Sequence, residues 1–132
     1  MAASEIGRGA AFGDIDNDGD TDVLVGNNNG PTRLLVNRTE RRHWVGLRLL
    51  GAMGRDMLGA RAEVLRPGAP SSWRRARADG SYASANDPRV LVGLAEFGGV
   101  LTVRVTWPTG KIETWTQVPI DQYTTLVEGK GR

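Results

Sequence analysis

The sequence predicts an all-β protein built from about ten short strands. Short strand-like runs alternate with glycine and proline along a chain of 132 residues that contains 18 glycines and 6 prolines. Apolar and polar residues alternate with period two in Leu101–Trp107, which is the pattern of a half-buried strand. The glycines and prolines leave no stretch for a long helix. The length is sufficient for a buried core.

Three strands are expected near the start of the sequence. Ala10–Gly13 and Asp22–Gly26 flank a segment rich in Asp, Asn and Gly, residues that favour a turn. Asn27–Gly30 and Pro31 then end the second strand, and Thr32–Asn37 forms the third. A sheet of three short strands supplies too little area to cover its own apolar residues.

Seven further strands are expected after residue 38, each separated from the next by glycine or proline. Pro108–Gly110 supplies a turn that joins the last two strands before the C-terminal one into an antiparallel hairpin. The predicted strands are Trp44–Leu50, Ala60–Arg66, Trp73–Ala78, Val90–Leu94, Leu101–Trp107, Ile112–Val118 and Tyr123–Glu128.

The most informative local pattern is a run of carboxylates around one glycine. Aspartate occupies every second position of the loop, and Gly19 is its sixth residue, where calcium loops need a sharp turn. We expect Ca²⁺ rather than Mg²⁺, because Mg²⁺ takes fewer carboxylates and keeps its waters. Val25 stands where a helix–loop–helix calcium site would need Glu. The predicted ligands are the side chains of Asp14, Asp16, Asp18 and Asp22 and the backbone carbonyl of Asp20.

The alternative for this loop is an Asp- and Asn-rich surface turn without a metal. Five carboxylates in nine residues repel one another unless a cation or protonation offsets their charge. Ordinary turns gain nothing from such repulsion, so the metal loop is the favoured interpretation.

The charge of the chain is unevenly divided. Residues 1–37 hold two arginines against six acids, a net charge of −4, and residues 38–132 hold fifteen bases against nine acids, a net charge of +6. A basic surface attracts acidic glycans or nucleic acid. The densest run, Arg74–Arg77, alternates within a predicted strand, which is more typical of a solvated sheet face than of a phosphate site. We therefore expect no nucleic-acid partner.

Several site types are excluded or disfavoured by composition. The chain has no cysteine and one histidine, His43, which excludes disulfides, thiol chemistry and multi-histidine metal sites. No apolar run approaches a membrane span. Asp79–Tyr82 and a triad through His43 lack any spacing that favours catalysis, so no catalytic residue is predicted.

The four tryptophans allow two interpretations. They would form a stacking surface for sugar rings if exposed, or contribute to the core if buried. Alternation places Trp44 and Trp107 with core residues, and Trp115 falls out of phase with Ile112.

The N-terminal motifs Gly9–Asp14 and Asp22–Asn27 resemble an FG-GAP (VCBS-type) repeat, the calcium-binding blade unit of integrin-like β-propellers. The remainder resembles an ASPIC/UnbV domain, the family of the C-terminal module of cartilage acidic protein. The resembling motifs are Arg55–Arg61, Gly80–Arg89, Val92–Leu94, Val103–Gly110 and Glu128–Gly129.

The resemblance implies two domains, residues 1–38 as a β-hairpin blade formed by a single repeat that carries the calcium loop, and residues 39–132 as an antiparallel β-sandwich. One departure from the family falls at Val92–Ala95, where Phe-Gly-Leu-Gly is common. This departure affects local packing and turn geometry.

We expect a calcium-binding, extracellular-type interaction module that presents a rigid surface to a protein or glycan partner. The metal would be structural, and the family implies an extracellular or periplasmic location. The alternative is a fragment or subunit of a UnbV-type biosynthetic enzyme. Because a lone blade needs neighbours, it docks on the sandwich, forms a homo-oligomer, or belongs to a longer propeller protein.

Overall fold

The computed structural model describes residues 6–39 and 42–132, so the first five residues of the predicted blade domain and residues 40–41 of the predicted sandwich domain lie outside the described residues. The described residues form ten strands and no helix, which confirms the all-β class. The strands are β1 (Gly7–Gly13), β2 (Asp22–Asn27), β3 (Arg33–Leu35), β4 (His43–Leu50), β5 (Arg61–Leu65), β6 (Ser72–Arg75), β7 (Val90–Ala95), β8 (Leu101–Thr106), β9 (Ile112–Val118) and β10 (Tyr123–Val127).

The blade is a separate sheet of three antiparallel strands in the order β1-β2-β3. Gly13 at the end of β1 pairs with Asp22 at the start of β2, so the strands bring the two ends of the aspartate loop together. The third strand is shorter than the predicted Thr32–Asn37, because only three of its residues pair with β2.

The sandwich consists of a sheet in the order β10-β4-β7 and a sheet in the order β6-β5-β8-β9. Buried residues of both sheets form one apolar cluster between them, which fits face-to-face packing. One pairing differs from the antiparallel expectation, since β10 runs parallel to β4. The chain leaves β9 and crosses to the other sheet, so no tight hairpin fixes the direction of β10.

The core confirms the alternation seen in β8. Leu101, Val103, Val105 and Trp107 are each at most 1% exposed, whereas Arg104 between them is exposed. The predicted turn is also present, since the N–H of Gly110 donates to the carbonyl of Trp107 at 2.9 Å. The remaining tryptophans differ in burial. Trp44 is 8% exposed and Trp115 packs edge to face against Trp107, whereas Trp73 is 61% exposed.

Candidate metal centre

The aspartate loop between β1 and β2 is held closed by its own backbone. The Asp14 carboxylate accepts the N–H of Asp18 at 3.1 Å and the N–H of Gly19 at 2.9 Å, and Asp18 accepts the N–H of Asp20 at 3.0 Å. Gly19 has a φ of 94°, a left-handed conformation that only glycine adopts without strain. The sixth position therefore needs its glycine, as the loop pattern predicts.

Three of the predicted ligands converge. Asp14, Asp16 and Asp18 each place one carboxylate oxygen so that all three atoms lie within 4.8 Å of one another. Calcium binds oxygen at about 2.3–2.6 Å, so ligands on one ion lie no more than about 5 Å apart. Asp14 is buried, Asp18 is half-buried and Asp16 is exposed. This donor set of carboxylate oxygens fits a hard cation such as Ca²⁺.

The fourth predicted side-chain ligand, Asp22, lies outside this group of three among the described residues. Its two carboxylate oxygens accept the N–H of Ile15 at 2.9 Å and the N–H of Asn37 at 2.8 Å. Asp22 is only 3% exposed, so these bonds keep a buried charge satisfied. In this arrangement Asp22 joins the start of the loop to the segment after β3. Its ligand role, and that of the Asp20 carbonyl, stay predictions.

The loop is bonded directly to the sandwich through β10 and the start of β7. The hydroxyl of Tyr123 donates to Asp14 Oδ2 at 2.9 Å, which is one of the converging carboxylates. The guanidinium of Arg89 donates to the Asp14 carbonyl at 2.7 Å and to Asn17 Oδ1 at 2.6 Å. The same guanidinium lies 3.9 Å from the centre of the Tyr123 ring, and its ion pair with Asp87 orients it. Two sandwich side chains therefore hold the loop.

Burial, and next its hydrogen bond to Asp14, raises the pKa of Tyr123, so the hydroxyl remains a donor. Gly46 on β4 allows the ring to lie there, since a Cβ at Gly46 would come within 2.3 Å of it. On the other side of the loop a Cβ at Gly19 would come within 2.4 Å of Trp44. The loop and the sandwich are thus in close contact at two glycines.

Backbone contacts extend this interface along β1. Asp87 donates its N–H to the carbonyl of Phe12 at 2.9 Å, and the N–H of Phe12 donates to Asn86 Oδ1 at 3.0 Å. Gly9 lies beside Ser84, with no room for a side chain between them. The segment before β7 therefore runs along the edge of the blade.

His43 and Asp121 form a second polar group beside the loop. His43 Nδ1 lies 2.7 Å from Asp121 Oδ2, and the other oxygen of Asp121 accepts the N–H of Trp44 at 3.1 Å. These residues, with Asp16 and Asp18, line an open cavity of about 490 Å³. Among the described residues, the side-chain partner of His43 is the Asp121 carboxylate and not a hydroxyl.

Sequence reasoning identified the aspartates but missed Tyr123 and Arg89. Tyr123 is 109 positions from Asp14, and Arg89 is 75 positions away. The spacing of residues within a loop carries information about that loop alone. The only signal was indirect, because a lone blade must find a covering surface.

Two family models match the chain. The model described as ASPIC and UnbV matches residues 51–132, more than half of the chain, and the model described as FG-GAP repeat matches residues 6–39. The order of the two matches is the order that the motifs predict. No curated protein matches the chain.

Proposed function

The chain belongs to the ASPIC and UnbV family, with an FG-GAP repeat before that domain, and from this premise we propose that it is a calcium-binding interaction module. In this proposal Ca²⁺ is held by Asp14, Asp16 and Asp18, with Asp20 and Asp22 completing the predicted set. The ion has a structural role. It keeps the aspartate loop in the conformation that contacts the sandwich.

The hydrogen bond from Tyr123 to Asp14 is the observation that supports this role most directly. Asp14 accepts two loop N–H groups and the Tyr123 hydroxyl, so the position of one carboxylate depends on both domains. A cation bound to this carboxylate would also reduce its repulsion from Asp16 and Asp18. Metal binding and domain docking would thus reinforce each other.

The proposed partner is a protein or a glycan. Both families are typical of extracellular or periplasmic proteins, and an extracellular-type β module is the function that they support. Within residues 6–39 and 42–132 no helix has the length and apolar character required to cross a bilayer. We propose that the rigid sandwich presents its outer surface to that partner outside the cytoplasm, where calcium is available.

A second candidate function is part of a biosynthetic enzyme, which the His43–Asp121 pair favours. A carboxylate on Nδ1 orients an imidazole so that Nε2 can act as a base, and the cavity places this pair beside Asp16 and Asp18. Aryl ester and phosphodiester substrates test this candidate. If the parent chain hydrolyses one of them and His43→Gln abolishes that activity, the enzyme candidate is favoured over the binding module.

Calcium titration of thermal unfolding tests the first proposal. If Ca²⁺ binds only the folded state, a hundredfold excess over Kd raises the free energy of unfolding by about 2.7 kcal/mol. We expect chelator to lower the melting temperature and Asp16→Asn to abolish that response. The exposed Asp79 supplies a matched control, since Asp79→Asn should keep the response. Identical melting curves in calcium and in chelator would contradict the proposal.

A further inference from the structure

The outer surface of the four-stranded sheet carries an exposed tryptophan beside arginines. On β5, Ala62 and Val64 point into the core, so Arg61 and Glu63 point outward. Their partners on the edge strand β6 are Arg75 and Trp73. Trp73 is 61% exposed although it is a large aromatic side chain. The Trp73 ring is therefore not part of the buried core of the sandwich.

Most of the positive charge around Trp73 is not neutralised. Arg61 lies 5.7 Å from the centre of the Trp73 ring and Arg74 donates to the Trp73 carbonyl, but neither forms an ion pair within the described residues. Arg77 likewise has no carboxylate partner there. Arg75 reaches Asp79 only at 3.4 Å. An anion brought to this surface would therefore not have to displace a strong ion pair.

These side chains line one open cleft of about 510 Å³, which we call the arginine cleft: Arg61, Trp73, Arg74, Arg75 and Arg77. The last three arginines also line a cavity of about 200 Å³ between the sandwich and the blade, together with Arg89. Asp14, Asp87 and the ion-paired Arg89 line the far side of that second cavity, so the cationic surface is a strip that follows β6 through Arg74, Arg75 and Arg77 and ends there. A strip of this kind suits an extended, multiply charged ligand.

We propose that the arginine cleft binds an acidic polysaccharide. Guanidinium groups bind carboxylate or sulfate oxygens through paired hydrogen bonds, and the face of an aromatic ring packs against the apolar side of a sugar ring. The inference rests on the proposed interaction module and names the class of its partner. Nucleic acid fits less well, because single strands stack on several successive aromatic side chains and the cleft holds one.

Binding to four probes tests this inference: polygalacturonate, heparin, uncharged dextran and a single-stranded DNA oligonucleotide. We expect the full chain to bind the two acidic polysaccharides and not to bind dextran. The affinity for the acidic polysaccharides should fall as the salt concentration increases. Trp73→Ala should weaken binding roughly tenfold, as expected for the loss of one aromatic stacking contact. Trp73→Phe should restore part of that loss.

The charge is tested by Arg74→Gln combined with Arg77→Gln, which we expect to weaken binding at least as much as Trp73→Ala. Both side chains are exposed, so the variant should keep its melting temperature. Arg55→Gln and Arg8→Gln together remove the same charge from elsewhere and serve as the matched control. Equal losses of affinity in the two double variants would contradict binding at the arginine cleft. Tighter binding of DNA than of either polysaccharide would contradict the proposed class of ligand.

The experiment also separates this inference from the metal proposal, since each probe is measured in calcium and in chelator. Polysaccharide binding without any calcium response in melting would overturn only the metal proposal. A normal calcium response without polysaccharide binding would overturn only the arginine cleft.

Discussion

Glu113 on β9 is buried, with 3% of its surface exposed, and both oxygens of its carboxylate have polar partners. It accepts the indole N–H of Trp107 at 2.7 Å and the N–H of Gly129 at 2.9 Å, and Lys111 approaches it at 2.8 Å. The charge therefore connects the β8–β9 hairpin to the chain after β10. Alternation identified Trp107 as a core residue, but no sequence pattern revealed the carboxylate beneath its indole.

Stability should depend on this carboxylate in acid. Burial raises the pKa of Glu113, but hydrogen bonds from Lys111, Gly129 and Trp107 outweigh burial and leave the pKa below its ordinary value of 4.5. Because the folded-state pKa is the lower one, the stabilisation is complete above pH 4.5 and is lost as the pH falls through the folded-state pKa.

Glu113→Gln should cost about 2 kcal/mol at pH 7, since it removes a charge from a buried hydrogen-bond network. The difference between the variant and the parent should shrink as the pH is lowered toward 3. Chemical unfolding across this range measures both effects, with Glu96→Gln at an exposed position as the control. A difference that stays constant with pH would show that the Glu113 charge is not responsible.

Among the elements, β7 shows what a departure from a family pattern does to a strand end. Ala95 is the last residue of β7, and it stands where Phe-Gly-Leu-Gly would supply the second glycine. Its φ is 54°, a left-handed conformation in which a Cβ is strained, and its pairing with His43 falls at an irregularity in the ladder. The sequence identified the departure, and the structure shows that the backbone keeps the conformation natural to glycine.

Ala95→Gly should therefore stabilise the protein by about 1 kcal/mol, because relief of the left-handed strain exceeds the added entropy of the unfolded chain. Ala95 is exposed, so little packing is lost. Ala69→Gly is the matched control, since Ala69 is exposed but does not have positive φ, and it should destabilise slightly. Urea unfolding would measure both, and a loss at position 95 as large as that at position 69 would contradict the strain argument.

For the molecule as a whole, the strands and the β8–β9 hairpin were predictable, but associations between distant parts of the chain were not. Short strand-like runs and the glycines and prolines between them indicated ten strands, since these signals act over a few residues, although β3 is shorter than predicted. The parallel pairing of β10 with β4 and the docking of the blade depend on residues far apart in sequence. Likewise, the aspartate pattern predicted convergence of Asp14, Asp16 and Asp18, but the position of Asp22 depends on Asn37 beyond the third strand.

The blade is only partly covered by the sandwich. Leu24 and Leu34, which are direct partners across β2 and β3, are each more than 40% exposed and line one open cavity of about 440 Å³. Contiguous exposed apolar surface of this kind marks an interaction site. We predict that a second copy of the chain covers this surface, with residues 9–37 in the contact.

We expect a dimer at micromolar concentration in calcium, weakened when calcium is removed. Light scattering measures the mass directly. Leu24→Asp should give a monomer, because a charge would be buried in the contact. Leu58→Asp, at an exposed leucine outside the blade, should leave the mass unchanged. A monomer mass for the parent chain, with residues 9–37 protected from proteolysis, would show that the sandwich alone protects the blade.

The bond between Tyr123 and Asp14 also sets an order of events during synthesis. The blade leaves the ribosome before the sandwich, but the hydroxyl that holds its loop belongs to β10 and is 109 residues further along the chain. Closing so long a segment is entropically costly, and folds rich in such contacts form slowly. The blade therefore cannot dock until β10 has been synthesised. Until then its apolar side chains are accessible to chaperones or to other nascent chains.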